Sequence, residues 1–249
     1  MLATVKAPAR QAVLYEGMSS GMNRRNFIGT AVAAAGALAL PARLFAQPVT
    51  SDLRARRVLE VARREVERAG SALWRRDIAA IADFGVHSGI PRFHFANLED
   101  GSVRSFLVAH GLGSDPEHDG WLNGFSNVVG SNATSRGAFI TWEWYKGRYG
   151  TSIRLGGLDP ANSNALERAI VMHSADYATQ AHVDRWGRLG RSNGCFAMGP
   201  EDFREALWHL SGGRLLYADR LGIGENGKQV AGPPQKPIGP QTEPDSADA

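Results

Sequence analysis

Leu53, Val58, Val61, Ala62, Val66 and Ala69 recur at helical spacing through a charged stretch that lacks Pro and Gly. The pattern predicts an amphipathic helix over residues 52–72 that packs one face on a domain. The period then shortens to two. A strand is predicted over 78–86, and over 92–98 Phe93 and Phe95 alternate with Arg92 and His94. A turn at Glu99-Asp100-Gly101-Ser102 and a return over 103–109 complete a β-hairpin pattern. Residues 138–145, with Trp142 and Trp144, and residues 151–155 read as a second pair joined by a turn at Lys146-Gly147. One or two helical turns over 164–168 precede a short apolar strand, 169–172, which ends at His173. Gly199-Pro200-Glu201-Asp202 opens a helix through Leu210, closed by Ser211-Gly212-Gly213, and 215–218 is the last strand. From Gly222 onward Gly, Pro, Gln and acids replace the apolar period, so a disordered tail is expected over 222–249. The expected fold class is mainly β with flanking helices (α+β).

Ahead of these elements, Asn23-Arg24-Arg25-Asn26-Phe27-Ile28 precedes a small apolar run from Gly29 to Leu40, followed by Pro41, Arg43 and Ala46-Gln47. This reads as a twin-arginine export signal over residues 1–46, with translation expected to start at Met18 or Met22 and cleavage expected near Ala46. The run is shorter than the ~20 residues needed to span a bilayer, so no stable membrane span is expected after cleavage and a periplasmic or other extracytoplasmic location is. The remaining chain divides into an N-terminal amphipathic helix region over 47–75, a catalytic domain over 76–221 and the tail. With 249 residues, 43% of them hydrophobic, one substantial core is the natural reading.

Charge changes its meaning once the leader is set apart. The whole chain carries +3, but residues 1–46 hold Lys6, Arg10, Arg24, Arg25 and Arg43 against Glu16, which leaves the remainder near −1. A nucleic-acid partner is therefore not expected. Export leads to an oxidising compartment, yet Cys195 is the single cysteine, so it forms no internal disulfide. A lone exported thiol is exposed to oxidation, which raises the case for a catalytic use over inert burial.

A thiolate nucleophile needs a nearby base, and the segment from Val171-Met172-His173-Ser174 to Gly190-Arg191-Ser192-Asn193-Gly194-Cys195 supplies both. An imidazolium beside Cys195 would stabilise the thiolate and depress the cysteine pKa. Gly194 permits a tight turn that aims amides at a developing oxyanion, and Ser192 would hold that turn. His110 also ends a strand and is a candidate to line the same cleft. His87, His94, His118, His182 and His209 have no metal-ligand spacing, and no metal is expected. Of Trp121, Trp142, Trp144 and Trp186, alternating in strands more often for packing than for binding, Trp186 is the groove candidate.

Ser192-x-Gly194-Cys195 preceded by His173 resembles the Ser-x-Gly-Cys signature of murein L,D-transpeptidases, the YkuD-like family. The segments Phe125-Ser126-Asn127, Tyr145-Lys146-Gly147, Leu155-Gly156-Gly157-Leu158 and Leu189-Gly190-Arg191-Ser192 resemble its divergent branch, with coverage from about Asp83 to Tyr217. Thr134-Ser135-Arg136-Gly137-Ala138-Phe139 is similar to the family's Thr-Pro-x-Gly-x-Phe strand, with Ser135 in place of proline. Many members carry Arg two positions after the cysteine; this chain has Ala197 there, and Arg191 is the candidate replacement.

The resemblance implies an L,D-transpeptidase-like β-sandwich acting on peptidoglycan stem peptides. It makes Cys195 the nucleophile and His173 the base, the latter oriented by the Ser174 carbonyl, with Asp176 as the competing orienter. Ser192, Asn193, Arg191, Trp186 and His110 are the expected substrate-binding residues. The implied reaction is acyl transfer from the diaminopimelate-D-alanine bond of a tetrapeptide stem to an amine, giving 3→3 cross-links. It needs no cofactor, and acylation by carbapenems is expected. Hydrolysis of the same bond, as an L,D-carboxypeptidase, and a non-catalytic wall-binding module are the rival readings.

Overall fold

The computed structural model describes residues 50–236 and 238, with side chains described from residue 53 onward. The expected export signal and residues 239–249 lie outside the described residues. Among the described residues no helix is long and apolar enough to cross a membrane.

Eight strands form one mixed sheet in the order β3-β2-β1-β8-β4-β5-β6-β7. They are β1 (Ile78–Asp83), β2 (Phe93–Asn97), β3 (Val103–Phe106), β4 (Gly137–Gly147), β5 (Gly150–Gly157), β6 (Val171–Ser174), β7 (Phe196–Met198) and β8 (Leu215–Asp219). Only β1–β8 and β6–β7 run parallel; the other neighbours are antiparallel. The chain leaving edge strand β3 then reaches the opposite edge, where the Ala109 N–H donates to the Ala197 carbonyl of β7 at 2.8 Å. The two edges of the sheet are thus tied by one segment. This is the mainly β, helix-flanked class that the sequence predicts.

The central strands are buried on both faces, so their alternation sorts one core from another rather than core from solvent. Ala80 and Ala82 of β1, Phe139 of β4 and Leu216 and Ala218 of β8 face one cluster. Ala79 and Ile81, Ala138 and Ile140, and Leu215 and Tyr217 face the other. The second cluster is closed by α1 (Thr50–Ala69), which lays down Val58, Leu59, Val61, Ala62 and Val66. Each of its larger apolar side chains contributes about 1.5–3 kcal/mol through burial. The first cluster is capped by α3 (Pro200–Leu210), through Phe203, Ala206 and Leu210. Pro200 opens this helix and Glu201 and Asp202 sit in its first turn, where the helix dipole favours acids.

Several expectations shift. Strand β6 begins at Val171 and includes His173. The turn between β4 and β5 is made by Arg148 and Tyr149, two residues later than expected, and the pairing slips between Thr141 and Trp144 through a β-bulge. A short helix, α2 (Gln180–Trp186), and strand β7 were not legible as elements in the apolar pattern.

The expected disordered tail is corrected as far as the chain is described. Residues 222–236 pack back on the domain, and the reason is polar. The Asp83 carboxylate accepts backbone N–H groups of Gly85, Leu221 and Gly222 on Oδ1, at 2.9, 2.8 and 2.8 Å, and that of Ile223 on Oδ2 at 2.6 Å. Further on, Lys236 N–H donates to the Asn123 carbonyl at 2.9 Å. Four amides on one buried carboxylate make a charge-assisted anchor. Asp83→Ala should destabilise the protein by about 3 kcal/mol or more, because the buried amides lose their acceptor. Urea unfolding followed by tryptophan fluorescence would show it; an unchanged midpoint would mean that this anchor carries no stability.

Candidate active site

Strand pairing brings the two chemical residues of the motif together. On β6 and β7, His173 lies beside Ala197 in parallel register. Side chains two apart on a strand share a face, so Cys195, immediately before β7, points to the same side as Ala197 and His173. Met172, Phe196 and Met198 point the other way, into the main core. Ala197 itself is fully buried in a small cluster with Leu107, Ala109, Ala178 and Leu189.

His173 and Cys195 line one cavity of about 390 Å³ together with Arg191, Ser192 and Asn193. Both are largely sealed, His173 at 2% and Cys195 at 7% exposure. His173 Nδ1–H donates to the Ser174 carbonyl at 2.9 Å. That bond fixes the tautomer and leaves Nε2 with the free lone pair, the form a base requires. Asp176, the competing orienter, is exposed. The opposite face of the imidazole is covered by Tyr149, whose ring stacks on it at 4.6 Å and 21°.

The turn that presents the sulfur is held from within. Ser192 Oγ donates to the Cys195 carbonyl at 2.6 Å and accepts the Gly194 N–H at 3.2 Å. Gly194 has φ +108, and a Cβ there would lie 2.8 Å from the Ala133 carbonyl oxygen and 3.0 Å from Ile170 Cδ1. Gly194→Ala should therefore lose about 1–3 kcal/mol of stability and displace the sulfur. Thermal unfolding and the rate of Cys195 acylation measure the two effects, and wild-type values for both would refute this account of the turn.

Burial pushes the Cys195 thiol above its ordinary pKa, opposed by a hydrogen bond from the Val171 backbone and by the positive charge of Arg168. Burial likewise pulls His173 below the usual histidine value, opposed by the Ser174 carbonyl. Both shifts favour the uncharged forms. Burial therefore works against the thiolate–imidazolium pair that the sequence leads one to expect and favours a thiol beside a neutral imidazole. The thiol proton points to the Ala169 carbonyl, with Sγ at 3.7 Å.

Two expected binding residues lie elsewhere. Trp186 is half-exposed on α2, outside the cavity, with Arg185 stacked on its ring. His110 is buried beneath the site. Arg92 donates to His110 Nδ1 at 2.7 Å, which makes Nε2 the protonated nitrogen facing Asp115 Oδ2 at 3.2 Å. Burial lowers the His110 pKa to about 4, so it is neutral. Its backbone does reach the site, because the His110 carbonyl accepts the Ser192 N–H at 2.9 Å.

Residues not singled out from the sequence also contribute. Arg148, Tyr149 and Tyr177 line the cavity. Behind the sulfur, Arg168 donates to the carbonyls of Ser126, at 2.7 Å, and Ala133, and so ties the 126–135 loop to the turn that presents Cys195. Among the described residues no group of three or more His, Cys, Asp or Glu is arranged to hold a metal ion.

A family model described as the L,D-transpeptidase catalytic domain matches residues 52–218. A search of curated proteins found no match. Among solved structures, the chain is similar to an L,D-transpeptidase from Mycobacterium smegmatis at 16% identity, covering 57% of this chain and 58% of that one with a TM-score of 0.36. It is similar to the L,D-transpeptidase LdtMt1 in complex with imipenem at 15% identity, 57% and 59% coverage and a TM-score of 0.35. The helical cell shape determining protein Pgp2 from Campylobacter jejuni aligns at 15% identity, with 69% and 56% coverage and a TM-score of 0.37. The chain thus spans less than two thirds of the length of these structures. The family match covers well over half of the chain and contains His173, Ser192, Gly194 and Cys195, so the chain belongs to the L,D-transpeptidase catalytic domain family.

Proposed function

We propose that the protein is a peptidoglycan L,D-transpeptidase that uses Cys195 as nucleophile and His173 as base. The observation that carries this reading is the cavity shared by the thiol and an imidazole whose tautomer is set by the Ser174 carbonyl. In this mechanism His173 Nε2 takes the thiol proton as sulfur attacks the diaminopimelate carbonyl of a tetrapeptide stem. The Cys195 N–H supplies an oxyanion donor, as the nucleophile's own amide does in other acyl-transfer sites. Collapse breaks the peptide bond, and the imidazolium returns the proton to the departing D-alanine amine. The acceptor amine then attacks the thioester carbonyl, His173 takes a proton from it, and expulsion of the thiolate restores the thiol and leaves a 3→3 cross-link. Carbapenems enter the first half of this scheme, because a strained lactam carbonyl acylates the same sulfur.

Purified protein incubated with disaccharide-tetrapeptides should release D-alanine and form 3→3 dimers detectable by mass spectrometry. Tripeptides without dimers would support an L,D-carboxypeptidase. No D-alanine release and no carbapenem adduct would support a non-catalytic wall-binding module.

Action on the wall requires export, and the Arg24-Arg25 pair ahead of the 29–40 run is the feature that supports the twin-arginine route. Replacing both arginines with lysine should leave the precursor in the cytoplasm, as shown by fractionation and immunoblotting. Undiminished periplasmic yield would remove this route.

A further inference from the structure

Two arginines, Arg148 and Arg191, line the cavity around Cys195, and among the described residues no Asp or Glu lines it. Arg191 is partly buried and held in place, its Nη1 donating to the carbonyls of Asp115 and Pro116. Asp115 is the acid that acts on Arg191. Its carboxylate is already committed, accepting from Asp119 and Gly120 N–H at 3.0 Å each and from His110 Nε2–H at 3.2 Å. Buried Arg92 locks that histidine from behind. Arg191 is therefore fixed through main-chain carbonyls, with no ion pair among the described residues to match its charge. Arg148 sits in the turn between β4 and β5, exposed and lying over the Tyr149 ring at 5.8 Å. Among the described residues neither Arg148 nor Arg191 makes an ion pair, whereas the arginines at 68, 136, 154 and 214 do.

We propose that Arg148 and Arg191 form an anion subsite that selects acyl donors carrying a free carboxylate next to the scissile bond. The inference rests on the reading of Cys195 as the nucleophile. Arg191, fixed and partly desolvated, supplies the directional contact, since a guanidinium fork matches a carboxylate edge. Arg148, in water, supplies attraction at longer range. A donor whose carboxylate is amidated loses both contacts while keeping the same reactive carbonyl.

Iodoacetate and iodoacetamide differ by the presence of a carboxylate and report the field at the sulfur. Their alkylation rates at Cys195, taken as a ratio, cancel the thiolate fraction, so changes in thiol ionisation drop out. Relative to the same ratio for N-acetylcysteine, wild-type protein at low ionic strength should favour iodoacetate about five-fold or more. The preference should fall in R148Q, fall further in R191Q, and weaken with added salt. Arg148 is exposed on a turn, so R148Q and the salt series remain decisive if R191Q does not fold. A wild-type ratio equal to that of the free thiol, unmoved by R148Q and by salt, overturns the subsite while leaving the nucleophile intact. Failure of both reagents to label Cys195 in folded protein overturns the nucleophile reading and the subsite with it.

Discussion

Cys195→Ser should give a folded protein that forms no covalent adduct with imipenem and loses at least about 10⁴-fold in cross-linking rate, a loss in the range seen when an acyl-transfer nucleophile is removed. The fold should persist because little else depends on the sulfur. Cys195 sits at 7% exposure, and its weak hydrogen bonds, to the Ala169 carbonyl and from the Val171 backbone, are ones that a serine hydroxyl can also make. The turn is held by Ser192 Oγ, which binds the backbone at 194 and 195 and not the side chain. Chemistry should fail for a reason visible in the site. Burial already raises the thiol pKa and lowers that of the imidazole, so this base is weak and its partner must be a comparatively acidic group. A hydroxyl is far less acidic than a thiol, and the pair cannot bridge that gap. Intact-mass spectrometry after incubation with imipenem is the measurement. An adduct on the serine variant comparable to that on the wild type would place the reactive group elsewhere.

The parts of this molecule that could be read in advance are those whose burial is one-sided. Helix α1 shows Val58, Val61, Ala62 and Val66 against charged neighbours, and α3 shows Phe203, Ala206 and Leu210, because each turns one face to a core. Strand β7 shows nothing of the kind: Phe196 and Met198 enter the main core while Ala197 is buried on the other side, so three apolar residues stand in a row inside the motif. The tail escaped for a different reason. Apolar periodicity registers side-chain burial, whereas residues 221–223 are held by their amides on Asp83, some 140 positions earlier. His110 and His173 both occupy strand-like segments, and the sequence alone does not separate them. Arg92 separates them: fully buried, it holds the His110 ring through Nδ1. Tyr149 was hidden by the bulge in β4, beyond which the turn falls two residues later and brings an aromatic ring over His173. That His173 and Cys195 come together could be read in advance because they lie on or beside adjacent strands close in sequence; the groups around them come from a hairpin turn and a loop whose approach is a tertiary event.

His173→Gln should lower acylation of Cys195 at neutral pH by about a hundred-fold or more, and the pH profile should change shape as well as height. In the wild type, the active form needs a neutral imidazole and a thiol proton for it to take. Burial depresses the His173 pKa, so this form is already complete above the lowered value and is lost only as pH falls through it, on the acid side of an ordinary histidine. Burial raises the Cys195 pKa, so free thiolate contributes only at high pH. Between the two limits the rate should be flat. With glutamine in place of the imidazole no base remains, and attack depends on the thiolate alone. At neutral pH a thiol titrating above its ordinary range is ionised to on the order of 1% or less. The variant's rate should then climb about ten-fold per pH unit with no plateau until the thiol pKa is reached, and approach the wild-type rate there. A resting ion pair makes the opposite forecast. The wild-type protein would show thiolate absorbance in the ultraviolet at neutral pH, and its plateau would span the interval between a depressed thiol pKa and a raised imidazole pKa. Stopped-flow acylation by a carbapenem across the pH range, with thiolate absorbance recorded on the same samples, separates the two cases. A glutamine variant that keeps the wild-type plateau would show that His173 is not the base.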